Sequence, residues 1–280
     1  MTFSRHLLTC LLLTSGVSAD VPTCSPASYQ LVWQDEFEGK QLDMTRWGMP
    51  GYKKREAATI NGEGTIVVSD GVLKLNAFEK DGEICCAIID TRHKFERTYG
   101  WYEARMKMHR LGGMHSCFWL QTPTFKKFPD APEQSGTEMD IMEWFGPKRR
   151  SGWAGMNVYY FGEKGNVRSP SIPQFHLMGG PVEGDPAGPL ADMSQDFHIY
   201  AMHWTAEACI FYCDGIEIMR ETKVISAVPE YIVLSLLCSN WERPRLEVAK
   251  LPDALQIDYV RVYAPRDETL PPSVTTSSPP

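Results

Sequence analysis

Residues 135–147 read SGTEMDIMEWFGP, which places Glu138, Asp140 and Glu143 in an otherwise apolar stretch. An unpaired carboxylate removed from water is costly, and the usual relief is a raised pKa. Three of them this close together point to proton chemistry, to a bound hard cation, or to a solvated strand edge. Glycoside hydrolysis suits the first reading. One carboxylate attacks an anomeric carbon, and another, held protonated, gives its proton to the leaving oxygen. Against a calcium loop stand the flanking Trp144 and Phe145 and the lack of an Asp/Asn/Gly-rich run.

A strand must carry these groups. Simple alternation puts Glu138, Asp140 and Met142 on one face and Met139, Ile141 and Glu143 on the other. That would bury Glu143 among core residues. One β-bulge near Ile141 and Met142 removes the conflict by shifting the parity, so that Glu143 joins the other two carboxylates. Met139, Ile141 and Trp144 then face the core. Retention of configuration needs carboxyl groups about 5–5.5 Å apart. Residues five apart on a flat strand are separated by up to about 16 Å. The sheet is therefore expected to be concave, with Asp140 between the glutamates, hydrogen-bonded to Glu138 and helping to keep Glu143 protonated.

The rest of the chain supplies strands for such a sheet. Thirteen short runs rich in β-branched and aromatic residues are expected near 31–37, 65–69, 72–78, 85–91, 100–108, 116–121, 138–144, 155–161, 197–204, 208–213, 216–221, 231–238 and 255–263. Asp70-Gly71 and Asp214-Gly215 are hairpin signals. No stretch carries a helical period with caps. Many short strands with little helix mean a sandwich or barrel. Two long connections, 122–137 and 162–196, flank the acidic strand and the one after it, as binding loops do.

Arg5 and His6 precede the apolar run Leu7–Leu13, and Val17 and Ala19 are small residues suited to cleavage. Residues 1–19 therefore read as a secretory signal, too short to span a bilayer. Residues 20–264 form one domain, and the Pro/Ser/Thr-rich 265–280 a disordered tail. The expected product is a secreted, extracellular monomer with no membrane association after cleavage. A net charge of −7 gives no basic face for nucleic acid. Seven of eight cysteines lie beyond the signal: Cys24, Cys85, Cys86, Cys117, Cys209, Cys213 and Cys238. The odd count leaves at least one thiol unpaired, and several are expected to pack as small apolar residues. Cys209 and Cys213 share a strand face about 13 Å apart and cannot bridge. No CxxC or HExxH supports a zinc site.

TEMDIMEWFG closely resembles the E-x-D-x-x-E strand of glycoside hydrolase family 16. LVWQDEFEGKQLDMTRW, TYGWYEARMKM, GGMHSCFWLQTP, FHIYAMHWTAEACIFYCDGIEI and LQIDYVRVY agree in order, over residues 30–264. The resemblance implies an all-β jelly roll of two curved antiparallel sheets, with a polysaccharide cleft on the concave one and a retaining, endo-acting mechanism. By position, Glu138 resembles the nucleophile, Glu143 the acid/base and Asp140 the assisting carboxylate. Glu103 and Arg105 match an E-x-R pair that would contact sugar hydroxyls. Trp119 and Trp241 match aromatic positions that stack on sugar rings, with core packing as the alternative. Asp258 matches the aspartate of a structural calcium, and no cofactor is implied for catalysis. Two positions depart from the family's pattern: His115 stands where G-x-W has Trp, and Asn157-Val158-Tyr159 puts Tyr where N-x-H has His. Both face the cleft by alternation, and His115 could also be a hydrogen-bond partner behind the subsites. The expected substrate is β-1,3- or mixed β-1,3/1,4-glucan. An agar-type galactan hydrolase, a transglycosylase and a non-catalytic glucan binder remain alternatives. A binder needs no acid/base pair, so the retained glutamates weigh against it.

Overall fold

A computed structural model describes residues 25–51, 53–146, 154–169 and 192–266. The signal segment, Cys24, residues 170–191 of the second long connection and the tail beyond Arg266 lie outside the described residues.

Seventeen strands carry the fold: β1 (Tyr29–Asp35), β2 (Lys54–Arg55), β3 (Ala58–Ile60), β4 (Ile66–Ser69), β5 (Val72–Lys80), β6 (Glu83–Asp90), β7 (Glu96–Arg97), β8 (Gly100–Lys107), β9 (His115–Gln121), β10 (Glu138–Trp144), β11 (Ala154–Gly162), β12 (Gly165–Arg168), β13 (His198–Trp204), β14 (Cys209–Cys213), β15 (Ile216–Glu221), β16 (Glu230–Leu237) and β17 (Asp253–Pro265). The thirteen expected strands are all present, and β2, β3, β7 and β12 are additional. Among the described residues one short α-helix, α1 (Pro132–Ser135), lies in the first long connection, and two 3-10 turns follow β16 at Arg243–Arg245 and Val248–Lys250.

Two layers result, as the jelly-roll expectation required. In the first, β17 pairs with β1, β5 and β8, and β8 continues through β13 and β14 to β15. In the second, β16 pairs with β6, β7 and β9, and β9 continues through β10 and β11 to β12. The pairing is antiparallel except for β3 beside β6. Asp70-Gly71 and Asp214-Gly215 turn with positive φ at both residues, as a type I′ hairpin demands, and Asp81-Gly82 does the same between β5 and β6.

Alternating side chains meet between the layers. Leu73, Leu75, Tyr102, Ala104 and Met106 from the first face Phe118, Leu120, Met139, Trp144, Val158 and Leu234 from the second, all without solvent exposure. Removing a side chain of this size leaves a cavity and costs about 2–5 kcal/mol. Cys85, Cys86, Cys117, Cys209 and Cys238 are free buried thiols, and Cys213 is buried as well, as the packing expectation held. Cys209 and Cys213 sit at the two ends of β14 and are not bridged to each other.

Candidate active site

The bulge in β10 lies at Ile141. Asp140 pairs with Asn157 and Trp119, whereas the next partners are Glu143 with Gly155 on one side and Met142 with Phe118 on the other. One extra residue on β10 therefore restores the parity. Ile141, Met142 and Trp144 are fully buried, while Glu138 and Glu143 keep partial exposure on the opposite face and Asp140 is 4% exposed between them.

Neighbouring strands hold each carboxylate. Gln121 Nε2, on β9, donates to Glu138 Oε2 at 2.9 Å. Glu143 Oε1 lies 2.8 Å from His115 Nε2, and its Oε2 accepts from Asn157 Nδ2 on β11. Arg168 Nε, on β12, donates to Asn157 Oδ1 at 2.7 Å, which fixes the amide so that its NH₂ points at Glu143. Asp140 Oδ1 lies 3.8 Å from Cys117 Sγ, which donates to it, and Glu143 is near enough to raise its pKa. The expected Asp140 partner was Glu138. The hydrogen bond it accepts comes instead from the Cys117 thiol.

The three carboxyls cannot all be ionised at little cost. Burial raises Asp140 well above the ordinary carboxylate range, and the charges of Glu143 and Glu138 push it further. Glu138 is also raised, by burial and then by Glu143, with Arg55, Gln121 and His115 pulling it back. Glu138 and Asp140 therefore do not ionise independently of their surroundings. Tyr159, opposite Glu138 on β11, is raised by burial and then by Asp140 and Glu143, so its phenol remains a hydrogen-bond donor.

Aromatic groups form one wall. The His115 ring stacks on Phe145 with centroids 4.4 Å apart and planes 17° from parallel. Trp241, 49% exposed, lies 5.3 Å from Phe145. Gly113, at φ 88°, lets the chain enter β9, because a Cβ there would sit 2.2 Å from the Leu246 nitrogen. Trp119 is half-buried against the core and donates its indole N–H to Ser235 Oγ at 3.2 Å, so it joins the floor and the core at once. The segment carrying Trp241 is tied to β2 and β3 by Asn240 N donating to Glu56 at 2.8 Å and Ala57 N donating to Cys238 O at 3.3 Å.

The structure thus brings together Glu138, Asp140, Glu143, His115, Trp119, Asn157, Tyr159 and Trp241. Three expected residues lie elsewhere. Glu103 and Arg105 belong to β8 in the first layer, on the face turned away from the core residues Tyr102, Ala104 and Met106. Glu103 is fully buried and accepts from the Trp101 indole at 2.9 Å and the Tyr263 hydroxyl at 3.4 Å, which leaves it no reach to a sugar in the other layer. Arg105 donates to Asp258 Oδ2 at 2.8 Å and covers the Phe197 ring. Asp258, matched to a structural calcium rather than to the cleft, lies on β17 in the first layer. Its carboxylate faces a guanidinium, and among the described residues it belongs to no cluster of metal-donor side chains. Sequence reasoning passed over Gln121, Phe145, Arg55 and Arg168. Gln121 was visible as the same-face neighbour of Trp119, and Arg168 as the end of a short alternating run after Gly165.

Residues 30–265 match the family model described as "Beta-porphyranase A-D, GH16 domain". The chain belongs to glycoside hydrolase family 16. It is 24% identical to glucan endo-1,3-beta-glucosidase A1 of Niallia circulans, over 85% of this chain and 38% of that protein. It is 28% identical to beta-porphyranase E of Zobellia galactanivorans, over 65% of each chain. It therefore spans less than two thirds of the length of both relatives. The crystal structure of the kappa-carrageenase zobellia_236 from Zobellia galactanivorans superposes with a TM-score of 0.66 at 21% identity, covering 85% of this chain and 95% of that one, which supports the fold.

Proposed function

We propose that this family 16 domain is an exported, retaining endo-β-glycosidase acting on a galactan of the porphyran or agar type. The observation that carries the chemistry is the bulged strand that sets Glu138 and Glu143 on one open face with Asp140 between them. Glu138 attacks the anomeric carbon, and Glu143 gives a proton to the leaving oxygen. Water, activated by Glu143, then releases the sugar from Glu138 with the original configuration. His115 Nε2 accepts a hydrogen bond when Glu143 carries the proton and donates one when it does not, so both forms of the acid/base remain satisfied.

Three features support the galactan. The matched family model is that of the porphyranases. Arg55 and Arg168 bring positive charge to the neighbourhood of Glu138 and Tyr159, which suits an anionic substituent. His115 and Tyr159 replace the side chains expected of glucan subsites. The glucan reading stands second, supported by the likeness to the Niallia enzyme.

The test is release of oligosaccharides from porphyran, agarose, kappa-carrageenan, laminarin and lichenan by the wild type and Glu138→Gln. Porphyran or agarose should be cut to short products with initial β-anomer, and Glu138→Gln should lose at least about a thousandfold in rate with its fold intact. Cleavage of laminarin or lichenan alone would move the assignment to glucan. An initial α-anomer, or a fully active Glu138→Gln, would overturn the mechanism.

A further inference from the structure

We infer that the cleft also contains a binding site for a thiophilic divalent cation, built from His115, Cys117 and Glu143, and that a cation of the zinc type seated there blocks the enzyme. The binding rests on side-chain geometry alone, whereas the block rests on the proposed roles of the carboxylates.

A ring nitrogen, a thiol sulfur and a carboxylate oxygen from these residues all lie within 4.8 Å of one another. Their positions follow from strand register. Cys117 is directly opposite Glu143 across the β9–β10 pair, and His115 is two residues along the same face of β9. Asp140 Oδ1, 3.8 Å from the sulfur, is available as a fourth donor. The thiol lies on the cleft floor at 3% exposure, while His115 and Glu143 keep 17% and 13% of their side-chain surface open. A cation entering from the cleft meets the imidazole and carboxylate first and the sulfur last.

The donor set selects the ion. Tetrahedral zinc with bonds of about 2.0–2.3 Å needs donor atoms roughly 3.3–3.8 Å apart. The His115–Glu143 contact, 2.8 Å, would open slightly and the wider pairs would close by about an ångström. Mixed sulfur, nitrogen and oxygen ligands favour Zn²⁺ or Cd²⁺ over Ca²⁺ and Mg²⁺, which take oxygen. Glu138, Asp140 and Glu143 crowd the position, and a divalent cation there offsets the mutual repulsion that adds to burial in raising Asp140 and Glu138. On binding, the Cys117 S–H bond is replaced by a metal–sulfur bond and its proton passes to solvent. Glu143, committed to the metal, can no longer hand a proton to a leaving oxygen.

Chelator-treated protein titrated with Cd²⁺ should develop one equivalent of near-ultraviolet thiolate-to-metal charge transfer, with calorimetry giving the same stoichiometry. Zn²⁺ should compete for that equivalent and inhibit hydrolysis, and a chelator should restore the rate. Neither Ca²⁺ nor Mg²⁺ should do so. Cys117→Ser should abolish the charge-transfer band and lower the affinity at least tenfold, and His115→Asn should weaken binding while leaving the band. Each variant is compared with its own metal-free rate and its own circular dichroism. A second cluster, His198, Cys213 and Asp214 in the first layer, provides the control. Cys213→Ser should leave the band intact. A band that survives Cys117→Ser, or is lost only in Cys213→Ser, would overturn the assignment. So would inhibition by Zn²⁺ that persists unchanged in Cys117→Ser. If Cd²⁺ binds as expected but hydrolysis is unaffected, the cation site stands and the role given to Glu143 fails.

Discussion

Glu230 lies directly behind β10 and should make stability fall with rising pH. It is fully buried at the start of β16. Oε1 accepts from the Thr137 backbone N–H at 3.0 Å and from its hydroxyl at 3.3 Å, while Oε2 has no partner among the described residues. Thr137 is the residue before Glu138. Burial raises the Glu230 pKa from 4.5 to about 8, against the opposing hydrogen bonds of Ser226 and Thr137. The folded state thus favours the neutral acid. Below pH 4.5 both states are protonated and the fold keeps its full stability. Between 4.5 and about 8 the unfolded chain ionises first, so stability falls with pH, and above about 8 this loss is complete. At 1.36 kcal/mol per unit, the loss between pH 5 and pH 7 is about 2–3 kcal/mol. Glu230→Gln retains an oxygen for Thr137 and cannot titrate. Urea unfolding of wild type and variant at pH 5, 6, 7 and 8 isolates the effect, because the other carboxyls largely cancel in the difference. The variant should gain about 2–3 kcal/mol on the wild type from pH 5 to pH 7, or some 5–10 °C in Tm. Parallel stability curves would show that Glu230 ionises normally and that its buried environment has been misread.

Two further outcomes follow from the layout of the two layers. Trp241→Ala removes an exposed indole beside Phe145, and it should raise KM for polymer by roughly tenfold or more with a smaller change in kcat; an unchanged KM would place the substrate elsewhere. Arg105 and Asp258 form a partly exposed pair in the first layer, so Asp258→Asn should cost no more than about 1 kcal/mol in denaturant and added Ca²⁺ should leave Tm unchanged; a calcium-dependent rise in Tm lost in Asp258→Asn would restore the cation reading.

Much of the site was legible because a strand has a period of two and the acidic segment breaks it at one place. Met139, Ile141 and Trp144 demand a core and Glu143 demands an open face, and a bulge is the smallest change that satisfies both. His115 and Trp119 were placed correctly by the same parity argument on β9, as were Asn157 and Tyr159 on β11. Glu103 and Arg105, expected at the cleft from the family resemblance, lie in the other layer. Alternation says which residues share a face, but it does not say to which layer the strand belongs, and β8 pairs with β13 and β17 rather than with β10. Short strands such as β2 and β7, two residues each, carry too few side chains to show a period.

By itself, the sequence determined the all-β class, the bulged acidic strand and the identity of its three carboxylates, because local polarity and spacing are enough to specify them. Tertiary structure decided what surrounds them. That Asp140 meets Glu143 and Cys117, that Arg168 orients Asn157, and that His115 stacks on Phe145 all depend on pairings between strands remote in the chain. Register between such strands is fixed by the packing of the whole core, and no single segment carries it.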